Sequence, residues 1–518
     1  MEICILLFII ILYIFLSINI RELKIKKNYS KILENLFIFF CLLLLFIESF
    51  NTHGFFLDKF GHSKVHWQTY IGPVELMLQG GYLLWDTPSQ YGFLSTIFIY
   101  LMPFNDPWMK LYYLNSLLTL SFSIMLFLTI WNKGSLLWLI ISFLITYSVI
   151  FLLPGGQWQF NISSTPSSGM MRFFISVVLI FLVIKIHKKL WIQQIKILVP
   201  VWLIGVFWSF ESAFYCSCVI LPWVIHNLFL EKNTTKQKLI TLLSFPISFL
   251  VLVILISLYY LAQIGNLPDY LAFAEYAFAW IINSDKMLNS SPQIFTSDGS
   301  INLLLLFFLI LSMFSKEVLL KKYLFHFFLL FLWSVISLIV GKGTDFHINQ
   351  FLALFIFTFF SLSNVIDLEY KNIFVKIISP LLILVIISGY LNPSFFKHIH
   401  NTIINQDYIL SDVIYENDND MNDFITSINP EDISIITISS RYWNYNTELN
   451  YYNAKFGKVT KLNREKWLPV FPATLFMPLS KMQSEKYISR WIERKKINKG
   501  WILFENDTYY HNELLNKI

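Results

Sequence analysis

The sequence is poor in charge and in cysteine. Only 14% of its 518 residues are Asp, Glu, Lys or Arg, whereas 56% are hydrophobic. Soluble domains are charged at about a quarter of their positions, so this balance excludes an ordinary soluble protein. The four cysteines all lie within apolar runs, where we expect buried thiols rather than a disulfide framework or a zinc site.

The sequence also lacks the glycine-rich loops that bind nucleotide phosphates. No Walker pattern or dinucleotide fingerprint is present, so no ATP-driven chemistry is implied. The net charge of +6 predicts no nucleic-acid partner, because the basic residues fall in connectors that would lie beside anionic membrane lipid.

Apolar runs fill most of residues 1–391. A helix needs about 20 apolar residues to cross the ~30 Å hydrocarbon core. We therefore predict an all-α polytopic membrane domain with 12 or 13 transmembrane helices, and the short run at 93–104 decides between the two numbers. The twelve predicted spans are 3–20, 36–50, 110–131, 136–154, 171–187, 197–210, 213–230, 239–262, 301–314, 323–341, 349–366 and 373–391.

Lysine and arginine predict the orientation. They concentrate in four connectors, which the positive-inside rule assigns to the cytoplasm: 21–35, 185–196, 231–238 and 315–322. The loops between them then face outward: 51–92, 155–170, 263–300 and 341–348. We expect a multi-pass protein of a cell membrane, specifically the bacterial inner membrane, with its C-terminal region outside the cytoplasm.

Residues 392–518 differ in composition from the rest. They contain no apolar run long enough to span a membrane, and two short apolar stretches at 432–440 and 500–505 are typical of buried strands. The stretch SEKYISRWIERK at 484–495 has helical spacing. We predict a small soluble extracytoplasmic α/β domain.

The polar outer loop 51–92 holds the first candidate site residues. His62 and His66 follow Asp58 by four and eight residues, which places all three on one face of a helix. This spacing suits either a metal site or polar packing among aromatic side chains, and the sequence requires no divalent metal. Asp86 precedes a new apolar run, where a carboxylate serves either as a base or as the cap of a helix that begins near Ser89.

Further candidate site residues lie at the ends of later predicted spans. Arg172 suits a phosphate or carboxylate ligand, or alternatively a position at the membrane interface. Glu211 interrupts two apolar runs, which indicates either a functional acid or an acid at a helix start. The outward turn GKGTDFHINQ groups three ionisable side chains that either grip a lipid phosphate or are simply solvated: Lys342, Asp345 and His347.

Three of these segments resemble motifs of the GT-C membrane glycosyltransferases. GGYLLWDTPSQYGFL resembles their G-x-x-(Y/W)-x-D-x-x-x-x-Y-G-(P/F)-L pattern, WLIGVFWSFESAFY resembles a later segment with an acid at the position of Glu211, and GKGTDFHINQFLALF resembles their late basic loop. The resemblance implies a transferase that moves a sugar from a polyprenyl-phosphate carrier to a glycan, lipid or protein acceptor on the outer face of the membrane.

The resemblance also implies roles for the candidate residues. Asp58 or Asp86 would act as the base, and the cations would hold the carrier phosphate: Arg172, Lys342 and His347. His62, His66, Glu211 and Asp345 would complete the substrate site. The alternatives are a transporter or flippase of lipid-linked sugars and a non-catalytic membrane scaffold.

Overall fold

The computed structural model describes the chain in separate ranges. These are 27–50, 62–78, 80–104, 107–132, 136–152, 166–186, 189–230, 233–282, 329–335, 348–363, 434–438 and 500–504, together with single positions within 303–310 and 486–494. Helices make up nearly all of this part of the chain. The predicted spans 3–20, 301–314, 323–341 and 373–391 lie wholly or mostly outside the described residues.

Eleven α-helices are described, numbered here in chain order. They are α1 (Lys27–Ser49), α2 (His62–Leu78), α3 (Leu94–Leu101), α4 (Pro107–Trp131), α5 (Leu136–Tyr147), α6 (Met170–Ile186), α7 (Trp191–Trp208), α8 (Phe210–Ile225), α9 (Thr235–Ile264), α10 (Tyr270–Ile282) and α11 (Ile348–Ser363). Helices α5 and α8 each continue into a π-helical turn, at Ser148–Leu152 and His226–Leu230. A short 3-10 turn at Pro166–Ser168 precedes α6.

Four described helices are long and apolar enough to cross a membrane. They occupy Met109–Trp131, Trp191–Trp208, Phe210–Phe229 and Thr235–Ile264. Each overlaps a predicted span, so the prediction of a helical membrane protein is confirmed. Helices also occupy the predicted spans 36–50, 136–154, 171–187 and 349–366.

Helix α6 lies at the centre of the packed bundle. It contacts α4, α7, α8 and α11, and most of its side chains are buried. Helix α9, by contrast, contacts α7 and has only 11% of its apolar window buried. Its outward side chains include Leu250, Val251 and Ile254, each at least half exposed. A helix so apolar and so exposed suits the lipid-facing periphery of a membrane protein.

The short apolar run at 93–104 forms α3, a helix of 8 residues. At 1.5 Å per residue this helix is about 12 Å long, well short of the ~30 Å of hydrocarbon. Helix α3 therefore does not cross the membrane by itself. It packs against α2 and α4 at one end of the bundle.

Two of the predicted outer loops contain helices. Helix α2 occupies part of loop 51–92, and α10 occupies part of loop 263–300. The short hydrophobic stretches within these loops fold back onto the bundle, where Trp67, Tyr70 and Ile71 of α2 are buried in the main core. The described parts of these loops are therefore partly built into the packed structure, and the irregular segments described within them are the turn at 80–93 and residues 265–269.

Gly92 fixes where this turn meets the bundle. Its φ of +111° lies in the region that favours glycine, and a Cβ built there would lie 2.0 Å from the Trp208 carbonyl oxygen. The backbone of the turn thus rests directly on the junction between α7 and α8. Trp208 itself is fully buried and donates its indole N–H to the Met171 carbonyl.

Two short strands pair in parallel near the end of the chain. Strand β1 (Ser434–Ile438) lies beside β2 (Gly500–Phe504), with Ser434 opposite Gly500. They fall at the two places where the sequence predicts strands. The remainder of the predicted α/β domain lies largely outside the described residues.

Replacing Gly92 by Ala tests the close approach at Trp208. We expect Gly92→Ala to lower the free energy of unfolding by about 2–4 kcal/mol, because the added methyl group collides with backbone and is strained at positive φ. Gly265→Ala is the matched control, since Gly265 also has positive φ (+72°) but no atom lies within 4 Å of its built Cβ. Denaturation in detergent measures both variants, and equal losses would contradict the collision.

Candidate functional site

An ion pair joins the N-terminal ends of α6 and α8. The Arg172 Nε atom lies 2.5 Å from a Glu211 carboxylate oxygen, and the arginine side chain is only 3% exposed. The contact is electrostatic, because its angle falls outside that of a hydrogen bond. Arg172 therefore pairs inside the bundle and does not reach out to the interface, which was one of its two predicted placements.

Local structure explains why Glu211 stands at this position. Ser209 is the N-cap of α8, and its side chain accepts the Ser212 backbone N–H. Glu211 lies in the first turn, where a carboxylate interacts favourably with the exposed N–H groups and the helix dipole. Glu211 is thus an acid at a helix start, as one interpretation of the sequence has it, and it also neutralises Arg172.

Tyrosines connect this ion pair to the first outer loop. The Arg172 guanidinium lies 5.7 Å from the ring centre of Tyr91, and Tyr91 stacks on Tyr70 of α2 at 4.4 Å. The Tyr91 hydroxyl forms hydrogen bonds with Ser167 and Thr69, and burial raises the pKa of Tyr91. Residues from loops 51–92, 155–172 and 205–215 therefore meet here, whereas loop 341–348 lies almost wholly outside the described residues.

Asp86 is enclosed in the turn at 80–93. Its carboxylate accepts the Tyr82 backbone N–H at 2.7 Å and the Thr87 hydroxyl at 3.1 Å, and it forms a salt bridge with Arg494. The side chain has no exposed surface. Helix α3 begins at Leu94 and has no side-chain cap, so Asp86 stabilises its own turn and does not cap a helix near Ser89.

A second carboxylate, Asp269, lies just before α10. It accepts the Ala272 backbone N–H at 3.0 Å and forms salt bridges with Lys486 and Arg490. Burial raises the pKa of Asp269, but the hydrogen bonds from Lys486, Ala272 and Arg490 outweigh it and lower the pKa to about 2. Because the folded pKa is depressed, this contact is fully present above pH ~4 and is lost as the pH falls through about 2.

The cations come from a helical stretch in 486–494 that packs against the outer loop. Its inward side chains are Tyr487, Arg490, Trp491 and Arg494, whereas Lys486, Ser489 and Glu493 are exposed. The Arg490 guanidinium lies 3.9 Å from the ring centre of Trp85 and donates to the Trp85 carbonyl oxygen. These contacts join the end of the chain to the turn at 80–93.

A cavity of about 480 Å³ lies beneath the turn at 80–93. Leu84, Gly92 and Phe93 form one side, and the other walls come from α7, α8, α9 and α10. Its lining is almost entirely apolar: Val206, Phe207, Ser209, Phe210, Ala213, Phe249, Val253, Tyr270, Phe273 and Ala274 complete it. The volume falls within the range of about 300–1,000 Å³ that is usual for small-molecule sites.

Several predicted site residues cannot be placed beside these groups. Asp58, Lys342, Asp345 and His347 lie outside the described residues. His62 and His66 lie in the first two turns of α2, and their side chains are likewise outside the description. Among the side chains that are described, no three His, Cys, Asp or Glu residues lie together as metal ligands would.

The residues that pair with the outer loop did not stand out in the sequence. Asp269 is a single charge and Arg490 and Arg494 belong to a stretch of mixed charge, and their partners lie more than 180 residues away in the chain. One signal was present: Lys486, Arg490 and Arg494 recur at intervals of four, which aligns three cations along a helix. Their partners follow only from the fold.

Comparisons with family models, with curated proteins and with solved structures found no match for this chain.

Breaking the Arg172–Glu211 pair tests its structural role. We expect Arg172→Met and Glu211→Gln each to lower the free energy of unfolding by about 3–5 kcal/mol, because each leaves one buried charge uncompensated. The double variant Arg172→Met/Glu211→Leu should recover most of the loss, since no charge is then left in the interior.

Denaturation in detergent compares these variants with Lys236→Met, which removes an exposed cation. If Glu211→Gln is as stable as the unaltered protein, the pair has no structural role, and Arg172 is free to bind an external anion.

Proposed function

We propose that this protein is a polytopic membrane glycosyltransferase of the GT-C type. It transfers a sugar from a polyprenyl-phosphate carrier to a glycan, lipid or protein acceptor at the outer face of the membrane. The observation that carries the proposal is the apolar cavity beneath the turn at 80–93, because that turn contains the motif resembling these enzymes.

The cavity suits one hydrocarbon chain of the carrier. Its lining offers few polar groups, and the hydroxyl of Tyr270 already bonds within the protein, near Ser257 and the Val253 carbonyl. Helix α9, which forms one wall, carries exposed apolar side chains along its length. A chain entering sideways from the bilayer would therefore pass only apolar surface, at no desolvation cost.

The reaction requires a base and a cationic site for the leaving group. A carboxylate takes the proton of the acceptor hydroxyl, the acceptor oxygen bonds to the sugar C1, and the bond from C1 to the phosphate oxygen breaks. Polyprenyl phosphate leaves with the electron pair, held by cations that stabilise its charge. Lys342 and His347 are the cations that the resemblance offers for this role, with Asp345 beside them.

Asp58 is the better of the two candidate bases. Asp86 already accepts the Tyr82 backbone N–H and the Thr87 hydroxyl, forms a salt bridge with Arg494 and is closed off from solvent, so an acceptor hydroxyl does not reach its carboxylate. In this proposal Asp86 shapes the turn over the cavity, and Arg172 supports the helix ends through Glu211. His62 and His66 share a helix face with Asp58 in the sequence.

The proposal includes a topology of twelve spans and an outward C-terminal domain. With α3 too short to cross, twelve spans place residues 392–518 on the same side as the turn at 80–93. The contacts of Arg490 and Arg494 with that turn agree with this placement.

A flippase of lipid-linked sugars is the second candidate. The buried Arg172–Glu211 pair favours it, because ionisable residues within membrane helices often mark transport paths. Such a protein would bind the same carrier in the same cavity, yet it would show no sugar transfer.

Filling the cavity tests the observation that carries the proposal. Val253→Trp places an indole in the cavity, so we expect transfer from a polyprenyl-phosphate donor to fall by about tenfold or more through loss of carrier binding. Leu250→Trp, on the exposed face of the same helix, is the matched control and should keep normal activity. Equal activity in both variants would remove the cavity from the mechanism.

Variants of Asp58 and Asp86 distinguish a catalytic carboxylate from a structural one. We expect Asp58→Asn to lower the transfer rate by about 10²–10⁴-fold without loss of stability, as general-base removal does. Asp86→Asn should instead lower stability, since it weakens the contact with Arg494. Glu493→Gln controls for charge loss at an exposed site. Full activity of Asp58→Asn at equal abundance would exclude Asp58 as the base.

A further inference from the structure

The outer boundary of the protein has a small hydrophobic core of its own. Leu84, Tyr260 and Phe273 form its buried centre, with Tyr82, Trp85, Phe93, Phe210, Ile256, Ile264 and Tyr270 packed around it. This cluster is separate from the main core of the bundle. It joins the turn at 80–93 to the corner between α9 and α10, and it forms part of the cavity wall.

Two hydrogen bonds at Leu84 hold the turn to this corner. The Asp269 N–H donates to the Leu84 carbonyl at 2.8 Å, and the Tyr260 hydroxyl accepts the Leu84 N–H at 3.3 Å. The turn lines the cavity through Leu84, Gly92 and Phe93. Any movement of the turn at Leu84 therefore opens the cavity on its outer side.

The helical stretch in 486–494 adds two charged links to the same turn. Arg494 binds the buried Asp86, and Arg490 bridges the Trp85 carbonyl and the Asp269 carboxylate. The Arg490 guanidinium also lies against the Trp85 ring. One segment thus binds both the turn and the corner beside it, so it fixes their relative position.

We propose that the described residues of 486–494 form a clasp that closes the turn at 80–93 over the apolar cavity. Opening of the clasp frees the turn from the cavity wall and so speeds the exchange of a lipid chain between the cavity and the membrane. The identity of the chain rests on the proposed function, whereas the closure of the turn rests on the ion pairs alone.

The two links differ in their resistance to opening. The link to Asp269 includes Lys486, whose side chain is 42% exposed, so salt screens the attraction between these two residues. The link to Asp86 involves a carboxylate with no exposed surface, and breaking it leaves that buried carboxylate without its cation. The link between Arg494 and Asp86 is therefore the harder of the two to break.

Amide hydrogen exchange in lipid nanodiscs tests the closure of the turn. Arg490→Gln/Arg494→Gln should make the amides of 80–93 exchange at least about tenfold faster, because charge-assisted hydrogen bonds to the turn are lost. Amides of α4 should not change. Glu493→Gln, on the exposed face of the same segment, should leave the exchange of 80–93 as it is in the unaltered protein.

Displacement of a lipid probe tests the control of the cavity. The probe is geranylgeranyl phosphate with a diazirine, which labels the cavity wall near Phe249 and Val253 on illumination. Unlabelled geranylgeranyl phosphate should displace it about tenfold faster from Arg490→Gln/Arg494→Gln. A cleavable thiol cross-link in Tyr276→Cys/Tyr487→Cys, where the native rings lie 6.3 Å apart, should slow displacement until it is cleaved.

Each result decides the proposal. Unchanged exchange at 80–93 overturns the clasp, and so does faster exchange with unaltered probe displacement. If the double glutamine variant does not fold, the cross-linked protein decides, since displacement that is as fast with the cross-link as without it also overturns the clasp. If the probe never labels the cavity in any form, the proposed function fails, and the exchange measurement alone then supports or overturns the closure.

Discussion

The ion pair between Arg172 and Glu211 organises the end of the bundle at which α6 and α8 begin. A charged arginine is costly in an apolar interior unless an opposite charge compensates it. Glu211 supplies that charge from the first turn of α8, a position already favourable for a carboxylate. The pair therefore fixes α6 against α8, and Tyr91 packs against it from the first outer loop. This contact therefore helps to position one end of the loop.

From this fixed point the turn at 80–93 runs over the cavity to a second set of charges. At Gly92 the turn contacts the junction of α7 and α8. At its other end Asp86 pairs with Arg494, and the Trp85 carbonyl accepts a hydrogen bond from Arg490. An apolar cavity has no directional contacts of its own with which to fix a polar loop. The ion pairs at the two ends of the turn fix its position instead. Because the turn forms one side of the cavity, the shape of the cavity depends on charged residues that do not line it.

The sequence predicts the membrane helices well because hydrocarbon imposes a simple rule on length and polarity. The same rule applies to α3, whose eight residues are too few to cross the hydrocarbon core. Helix α10 was not predicted, because its 13 residues are fewer than the ~20 that a span needs and they lie in a connector. The spacing of Asp58, His62 and His66 allowed for a helix in loop 51–92, and α2 begins at His62. Arg172 and Glu211 were both site candidates in the sequence, yet their direct pairing depends on how two helices pack.

Asp86 shows why a motif match alone does not assign a role. Its spacing to Tyr91 and Gly92 fits a catalytic pattern, but its carboxylate is enclosed by its own turn and by an arginine about 400 residues further along the chain. That arginine is visible in the sequence only as one of three cations at helical intervals. A carboxylate enclosed in this way is out of reach of an acceptor hydroxyl, and separating it from its cation is costly. The same acid that marks the loop in the sequence therefore serves, in the fold, to hold that loop to the end of the chain.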